Sequence, residues 1–288
     1  MLLKAAHFDS GGGDAMNPDP GTVTASAAAP ATRGTSERGL YVAVGLVFMA
    51  AAYLTLRMTH GMSGGMPMPG GWTMSMTWMG MGGRWWEQAM AFSGMWLSMM
   101  IAMMLPSALP MLRLYLRLGR WRGQSHAGLS SALVATGYFL VWSGFGLIAW
   151  LVGTGIARAA MASARISHAV PFMAAGALLL AGAYQLTPVK MACLQHCRDP
   201  LSYVAHHSRT DRRGALWFGI HHGGFCLACC WALMLIQLAL GVMSLPVMIA
   251  VAAVIALEKL LPQGRWVARI TGALAIGGGA AQLLFLIA

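Results

Sequence analysis

Seven stretches of this chain, near 39–58, 88–111, 129–151, 169–187, 215–242, 245–261 and 270–288, are apolar for long enough to cross a hydrocarbon core of about 30 Å as helices of about 20 residues. A water-soluble fold would have to cover those runs with polar surface. With 58% hydrophobic and only 9% charged residues, and a mean hydropathy of +0.63, the chain lacks that surface. In lipid, every backbone polar group must be satisfied within its own segment, and for runs of this length helices do that. The expected fold is an all-α, polytopic transmembrane helix bundle of about seven helices, with Pro188, Pro200 and Pro262 among the residues that punctuate the gaps.

Lysine and arginine orient such a bundle, because cytoplasmic loops collect them. With the N-terminus inside, Lys4, Arg33, Arg38, Arg113, Arg117, Arg120, Arg122, Lys190, Arg198, Arg209, Arg212, Arg213, Lys259, Arg265 and Arg269 fall on the inner side, and only Arg57, Arg84, Arg158 and Arg165 outside. An N-in, C-out topology follows, with the lipid bilayer of a bacterial inner (plasma) membrane as the expected location. The net charge of +11 is mostly this bias, so no nucleic-acid partner is needed to explain it. Residues 1–38, rich in Ala, Gly, Pro, Ser and Thr and without apolar periodicity, read as a disordered cytoplasmic tail. Residues 39–288 then form the transmembrane domain, with the first helix a retained anchor.

Methionine is used unusually. The hairpin at 60–86, expected on the outer face, carries Met-x-Met three times, at Met66/Met68, Met74/Met76 and Met79/Met81. Thioethers are soft neutral ligands suited to Cu(I), and the passage contains no acid before Glu87, which disfavours a hard cation. The competing reading is an interfacial loop that tucks Met and Trp into the headgroup region. In the following helix Met95, Met99 and Met103 recur every four residues and share one face, with Met100 and Met104 forming a second stripe. Such stripes also serve plain packing.

All five cysteines lie between 193 and 230. Cys193 and Cys197, with His196 between them, are one turn apart if their segment is helical, and Arg198-Asp199-Pro200 would end that turn. At the inner end of the fifth membrane segment, His222, Cys226 and Cys229 fall within about 60° on a helix, Cys230 sits at the edge of that face, and His221 points away. Thiols and imidazoles converging near the inner leaflet suit Cu(I), with zinc as the alternative, and in a reducing compartment they stay unpaired. Glu258 adjoins Lys259 at a helix end and reads as a local interfacial pair, and Glu87 beside two Trp marks the interface. His60, His126 and His168 are too dispersed for a haem. No nucleophile, phosphate-loop or dinucleotide motif is present, so no catalytic constellation is recognised.

AMMLPSALP (102–110), GYFLVW (137–142), AGAYQLTPVKMACLQHCRDP (181–200), HGGFCLACCWALML (222–235), GVMSLPVM (241–248) and LEKLLPQG (257–264) occur in that order. The series resembles that of the predicted metal-binding integral membrane protein family, for which the label copper chaperone is in use. The resemblance covers about 85 to 275 and implies Cys193, His196, Cys197, His222, Cys226, Cys229 and Cys230 as metal ligands. The methionine-rich hairpin and His221 are not part of it. The resulting expectation is a membrane protein that captures Cu(I) on Met66, Met68, Met74, Met76, Met79 and Met81, passes it along Met95, Met99 and Met103, and holds it at the Cys/His cluster. The expected partners are the metal ion and a soluble metal carrier or membrane complex. A membrane thiol oxidoreductase, and a non-catalytic subunit of a larger complex, stay open as alternatives.

Overall fold

The computed structural model describes residues 31–61, 64–78, 84–198 and 211–288. Among these, eight helices and one small hairpin make up the chain: α1 (Ala31–Gly61), β1 (Gly65–Met68), β2 (Trp72–Ser75), α2 (Trp85–Trp121), α3 (Ala127–Ala162), α4 (Ala164–Gln185), α5 (Pro188–Arg198), α6 (Arg212–Leu240), α7 (Leu245–Leu260) and α8 (Gly264–Ile287). The architecture is an all-α bundle. Six helices, all but α5 and α7, are long and apolar enough to cross a membrane.

The bundle has two ends. At one, the β-hairpin docks on α4: the Trp72 indole N–H donates to the Ser167 carbonyl at 2.9 Å and the Ser167 hydroxyl to the Pro69 carbonyl at 2.6 Å. The chain reverses there through Gly70 and Gly71, whose φ of 100° and 75° suit glycine. At the far end, Glu37 of α1 binds Arg113 and Arg117 of α2, the latter at 2.6 Å and 2.9 Å. α7 starts beside the hairpin, where Gly241 to Ser244 line a cavity of about 1010 Å³ with Trp72, Met74 and Trp78, and it ends at Glu258 beside α4 and α5. Its 16 residues therefore carry it from the hairpin side to the level of Cys226, which Lys259 meets, and short of the end that holds Glu37.

Several expected boundaries shift. α1 is helical from Ala31, where a tail was expected to reach 38; residues 1–30 lie outside the described set. α2 was expected to stop near 111 but continues to Trp121 through Pro106 and Pro110, because α1 reaches as far and supplies Glu37 to its arginines. α3 likewise extends to Ala162, where Ala157 and Ala160 pack against Met74. The stretch 245–261 is helical but, at 16 residues, short for an independent span. α5 begins with Pro188, whose missing N–H is no loss in a first turn. Asp211 caps α6 by accepting from the Gly214 N–H at 3.1 Å.

Candidate metal centre

The cysteines of α6 belong to its midpoint rather than to an end, since α6 runs from Arg212 to Leu240 and Cys226 lies halfway. This corrects the expected position at the inner end: α6 is one of several helices that continue well past the cysteines at the far end. Two close helix approaches place the site's neighbours. A Cβ on Gly219 would collide with the Val134 carbonyl, and one on Gly137 with that of Leu216, so only glycines let α3 and α6 approach this closely. One turn along from Val134, that approach delivers Tyr138 to Cys226, with its OH 2.9 Å from the sulfur.

Cys226, Cys229 and Cys230 are all 0% exposed, and their three sulfurs lie within 4.8 Å of one another. A trigonal ion with metal–sulfur bonds of about 2.3 Å holds its sulfurs about 4 Å apart, so small side-chain adjustments suffice. Cys229 and Cys230 are 3.2 Å apart at sulfur, and Cys197 of α5 brings its own sulfur to 3.8 Å from Cys229. Thus α5 is helical, the condition under which its two cysteines are one turn apart, and it carries Cys197 to the α6 set. Cys193 is half-buried on the same helix and packs against the same core.

The histidines behave differently. The ring of His196 stacks on Phe225 with centroids 3.8 Å apart. His222 is buried on the expected face, one turn from Cys226, with its ring 6.0 Å from that of Tyr138. Neither joins the group of three sulfurs. His221 is exposed beside Trp217, pointing away as the helical arithmetic requires.

Two charged groups complete the centre, and they overturn the reading of Glu258 and Lys259 as a mutual interfacial pair. Neighbours in a helix point about 100° apart and so face different partners. Lys259 turns to α6 and α2, donating to Cys226 Sγ at 3.0 Å and Ser107 Oγ at 3.4 Å. Glu258, 1% exposed, turns the other way: its Oε2 accepts from Lys190 Nζ at 2.7 Å and its Oε1 from Gln185 Nε2 at 2.9 Å. Lys190, itself 0% exposed, also donates to the Cys229 carbonyl. Tyr138 and Gln185 were not singled out from the sequence, Lys190 was counted only among the basic residues that orient the bundle, and Lys259 was read only as the neighbour of Glu258. The available signal was an ionisable pair inside an apolar segment, which is costly unless each member finds a partner.

The donor set is chemically narrow. Its ligand atoms are sulfur, and among the described residues the Glu258 carboxylate beside it is already engaged by Lys190 and Gln185, so these residues offer a hard cation no oxygen cage. A thiolate–metal unit is anionic, and Lys259 sets a compensating ammonium beside it.

The expected methionines fall into two groups. Met95, Met99 and Met103 are buried in the core that contains the cysteines, as are Met100 and Met104. In the hairpin, Met74 is fully buried against Ala157 and Ala160, Met66 is exposed, and Met68 and Met76 are half-buried. Met66 and Met74 are cross-strand neighbours. Met79 and Met81 lie outside the described residues.

No curated protein and no solved structure matches the chain. A family model described as a copper chaperone matches residues 93–282, a region that excludes the hairpin but takes in every cysteine together with Tyr138, Lys190, Glu258 and Lys259. Spanning about two thirds of the sequence and all of the sulfur centre, that match makes the chain a member of the copper chaperone family.

Proposed function

We propose that this chain is an integral protein of the bacterial plasma membrane that binds Cu(I) at Cys226, Cys229 and Cys230, with Cys197 as an exchanging fourth sulfur, and hands the ion on. The observation that carries the reading is the group of three buried thiols with a lysine ammonium 3.0 Å from one of them. Coordination number favours copper over zinc: three buried sulfurs suit a trigonal Cu(I), whereas structural Zn(II) takes four ligands and the fourth sulfur, Cys197, is only half-buried at the edge of the set. Membership of the copper chaperone family supports the same ion.

Uptake is assigned to the hairpin methionines, Met66, Met68, Met76, Met79 and Met81, with Met74 fixing the hairpin to α3. The α2 methionines Met95, Met99 and Met103 provide weaker stations, and His222, Cys193 and His196 shape the surroundings of the thiols. Thiolates outcompete thioethers for Cu(I), so the ion runs downhill from hairpin to cysteines. The end away from the hairpin, where α2 carries Arg113, Arg117 and Arg120, is the cytoplasmic side in this reading.

The test is copper bound per purified chain. Cys226→Ser and Cys229→Ser should each lower Cu(I) affinity by at least about tenfold, since a hydroxyl is a poor ligand for a soft ion, while His221→Ala should leave it unchanged. Wild-type copper content in both serine variants would sink the centre.

A further inference from the structure

On the hairpin side of the cysteines, α2 and α6 are joined across the core by a buried amide. Gln237 of α6 donates through Nε2 to Met99 Sδ at 3.2 Å and to the Val242 carbonyl at 3.4 Å. Its Oε1 is buried and has no hydrogen-bond partner. Buried amide oxygens are nearly always satisfied, so this one marks a position with room in its chemistry for a ligand.

The surroundings of that oxygen can be placed by register. Met99 meets Gln237, and further along α2 Ser107 meets Lys259, which in turn meets Cys226. The two helices run in opposite directions. Met99 therefore stands level with Gln237, and Met234, three residues before it, lies about 4.5 Å along α6 toward Cys230, between the levels of Met99 and Met103 at a rise of about 1.5 Å per residue. Met234 is about 6 Å from Cys230 along α6. Seen down that helix, Cys226, Cys230 and Gln237 fall within about 40°, so the orphan amide and two of the thiols share one face. Met99, Met103 and Met234 are buried in one core with all three α6 cysteines.

We propose that Met99, Met234 and the Gln237 amide oxygen form a second soft-cation site, one helical turn on the hairpin side of Cys230, for a monovalent thiophilic ion. The proposal rests on the reading of the cysteines as a Cu(I) centre only for its biological role, as the last station before the thiols. Its chemistry stands apart from them: two thioethers and an amide oxygen are neutral ligands, so the bound ion keeps its full positive charge. Such a site holds the ion more loosely than thiolates beside Lys259, which suits transit rather than storage.

Silver(I) is the probe, titrated into the full-length protein in detergent with Cys193, Cys197, Cys226, Cys229 and Cys230 all changed to serine. This protein should keep Ag(I) binding, and adding Met99→Leu with Met234→Leu should remove one ion per chain. Met→Leu conserves volume, so the fold should be unaffected. Gln237→Leu should weaken the same ion about tenfold, the loss expected when a buried polar ligand is removed. Equal Ag(I) stoichiometry and affinity with and without the leucines would overturn the site, as would a cysteine-free protein that binds no silver.

Should the five serines prevent folding, the chain with its cysteines intact, labelled with selenomethionine and loaded with excess Ag(I), serves instead. With Met66, Met68, Met76, Met79 and Met81 changed to leucine to silence the hairpin, selenium-edge absorption should show silver neighbours whose number falls by two per chain in Met99→Leu/Met234→Leu, and an unchanged number would also refute the site. The two readings fail separately. Ag(I) or Cu(I) binding indifferent to serine at the cysteines counts against the thiol centre, and binding indifferent to the leucines counts against this one.

Discussion

Replacing Lys190 with methionine keeps the length and apolar bulk of the side chain and removes its charge together with its hydrogen bond to the Cys229 carbonyl. In the folded protein Lys190 Nζ lies 2.7 Å from Glu258 Oε2, with the two side chains 0% and 1% exposed. Lys190→Met therefore leaves a carboxylate in the core with Gln185 Nε2, at 2.9 Å, as its remaining donor. Removing one partner of a buried pair costs about 3–5 kcal/mol, because the surviving charge has lost both its water and its counterion. Removing both is a different perturbation. Lys190→Met with Glu258→Leu puts apolar groups in place of the ions and should cost only about 1–2 kcal/mol, since the pair is replaced whole and the remaining loss is the Gln185 amide N–H left without its acceptor. The coupling between the two positions should thus exceed about 3 kcal/mol. Denaturant titration of the detergent-solubilised full chain reads it, with all four proteins under one condition. A single variant that loses less than about 1 kcal/mol, or a double variant less stable than either single, would show that water or another group solvates Glu258.

Other expectations follow from the same packing. Gly219→Ala should cost about 1–3 kcal/mol, because its Cβ has no space against the Val134 carbonyl, and should reduce copper retention by prising Tyr138 from Cys226. Gly224→Ala, with nothing within 4 Å of the added carbon, should be neutral or raise stability by up to about 1 kcal/mol; both shifts can be read by thermal unfolding. Leucine at Met66, Met68, Met76, Met79 and Met81 should slow Cu(I) acquisition by whole cells without releasing copper already held at the cysteines, and unchanged uptake returns the hairpin to an interfacial role. A reporter fused after Ala288 should be active outside the cytoplasm, whereas cytoplasmic activity would invert the bundle and set the basic far end outside.

What the sequence made legible is what periodicity and clustering encode. Apolar run length found the helices, and the angle between Cys226 and Cys229 on a helix placed both inside. The spacing of Cys193 and Cys197 was compatible with a helix but did not demand one, and α5, which brings Cys197 to 3.8 Å from Cys229, was not among the expected segments. Helical angle says nothing of height, however. His222 shares the face of Cys226 but stands a turn away, beside Tyr138 and Phe218, outside the sulfur group. Tyr138 was unremarkable in GYFLVW because its aim is set by Gly219 of another helix, eighty residues on. Adjacent Glu258 and Lys259 looked like a pair since linear order cannot tell which neighbouring helix each will face. Apolar run length put the end of α2 near 111, and tertiary contacts with α1 accompany the helix past it to Trp121.

Burial bears on the rival chemistry. Thiol–disulfide exchange needs a thiolate that an incoming disulfide can approach in line, and reactive cysteines are accordingly accessible. Cys226, Cys229 and Cys230 have no exposed surface, and Tyr138, Lys259 and the α2 methionines close over them. A protein or small-molecule disulfide cannot reach these sulfurs without the bundle opening, but a single ion can, by moving between sulfurs already in contact with the same core. The half-buried cysteines are on α5, and Cys197 touches Cys229. That geometry suits ligand exchange, in which one sulfur replaces another around an ion, better than electron exchange. It also makes Cys197 the sulfur through which the buried set meets the surface of the protein.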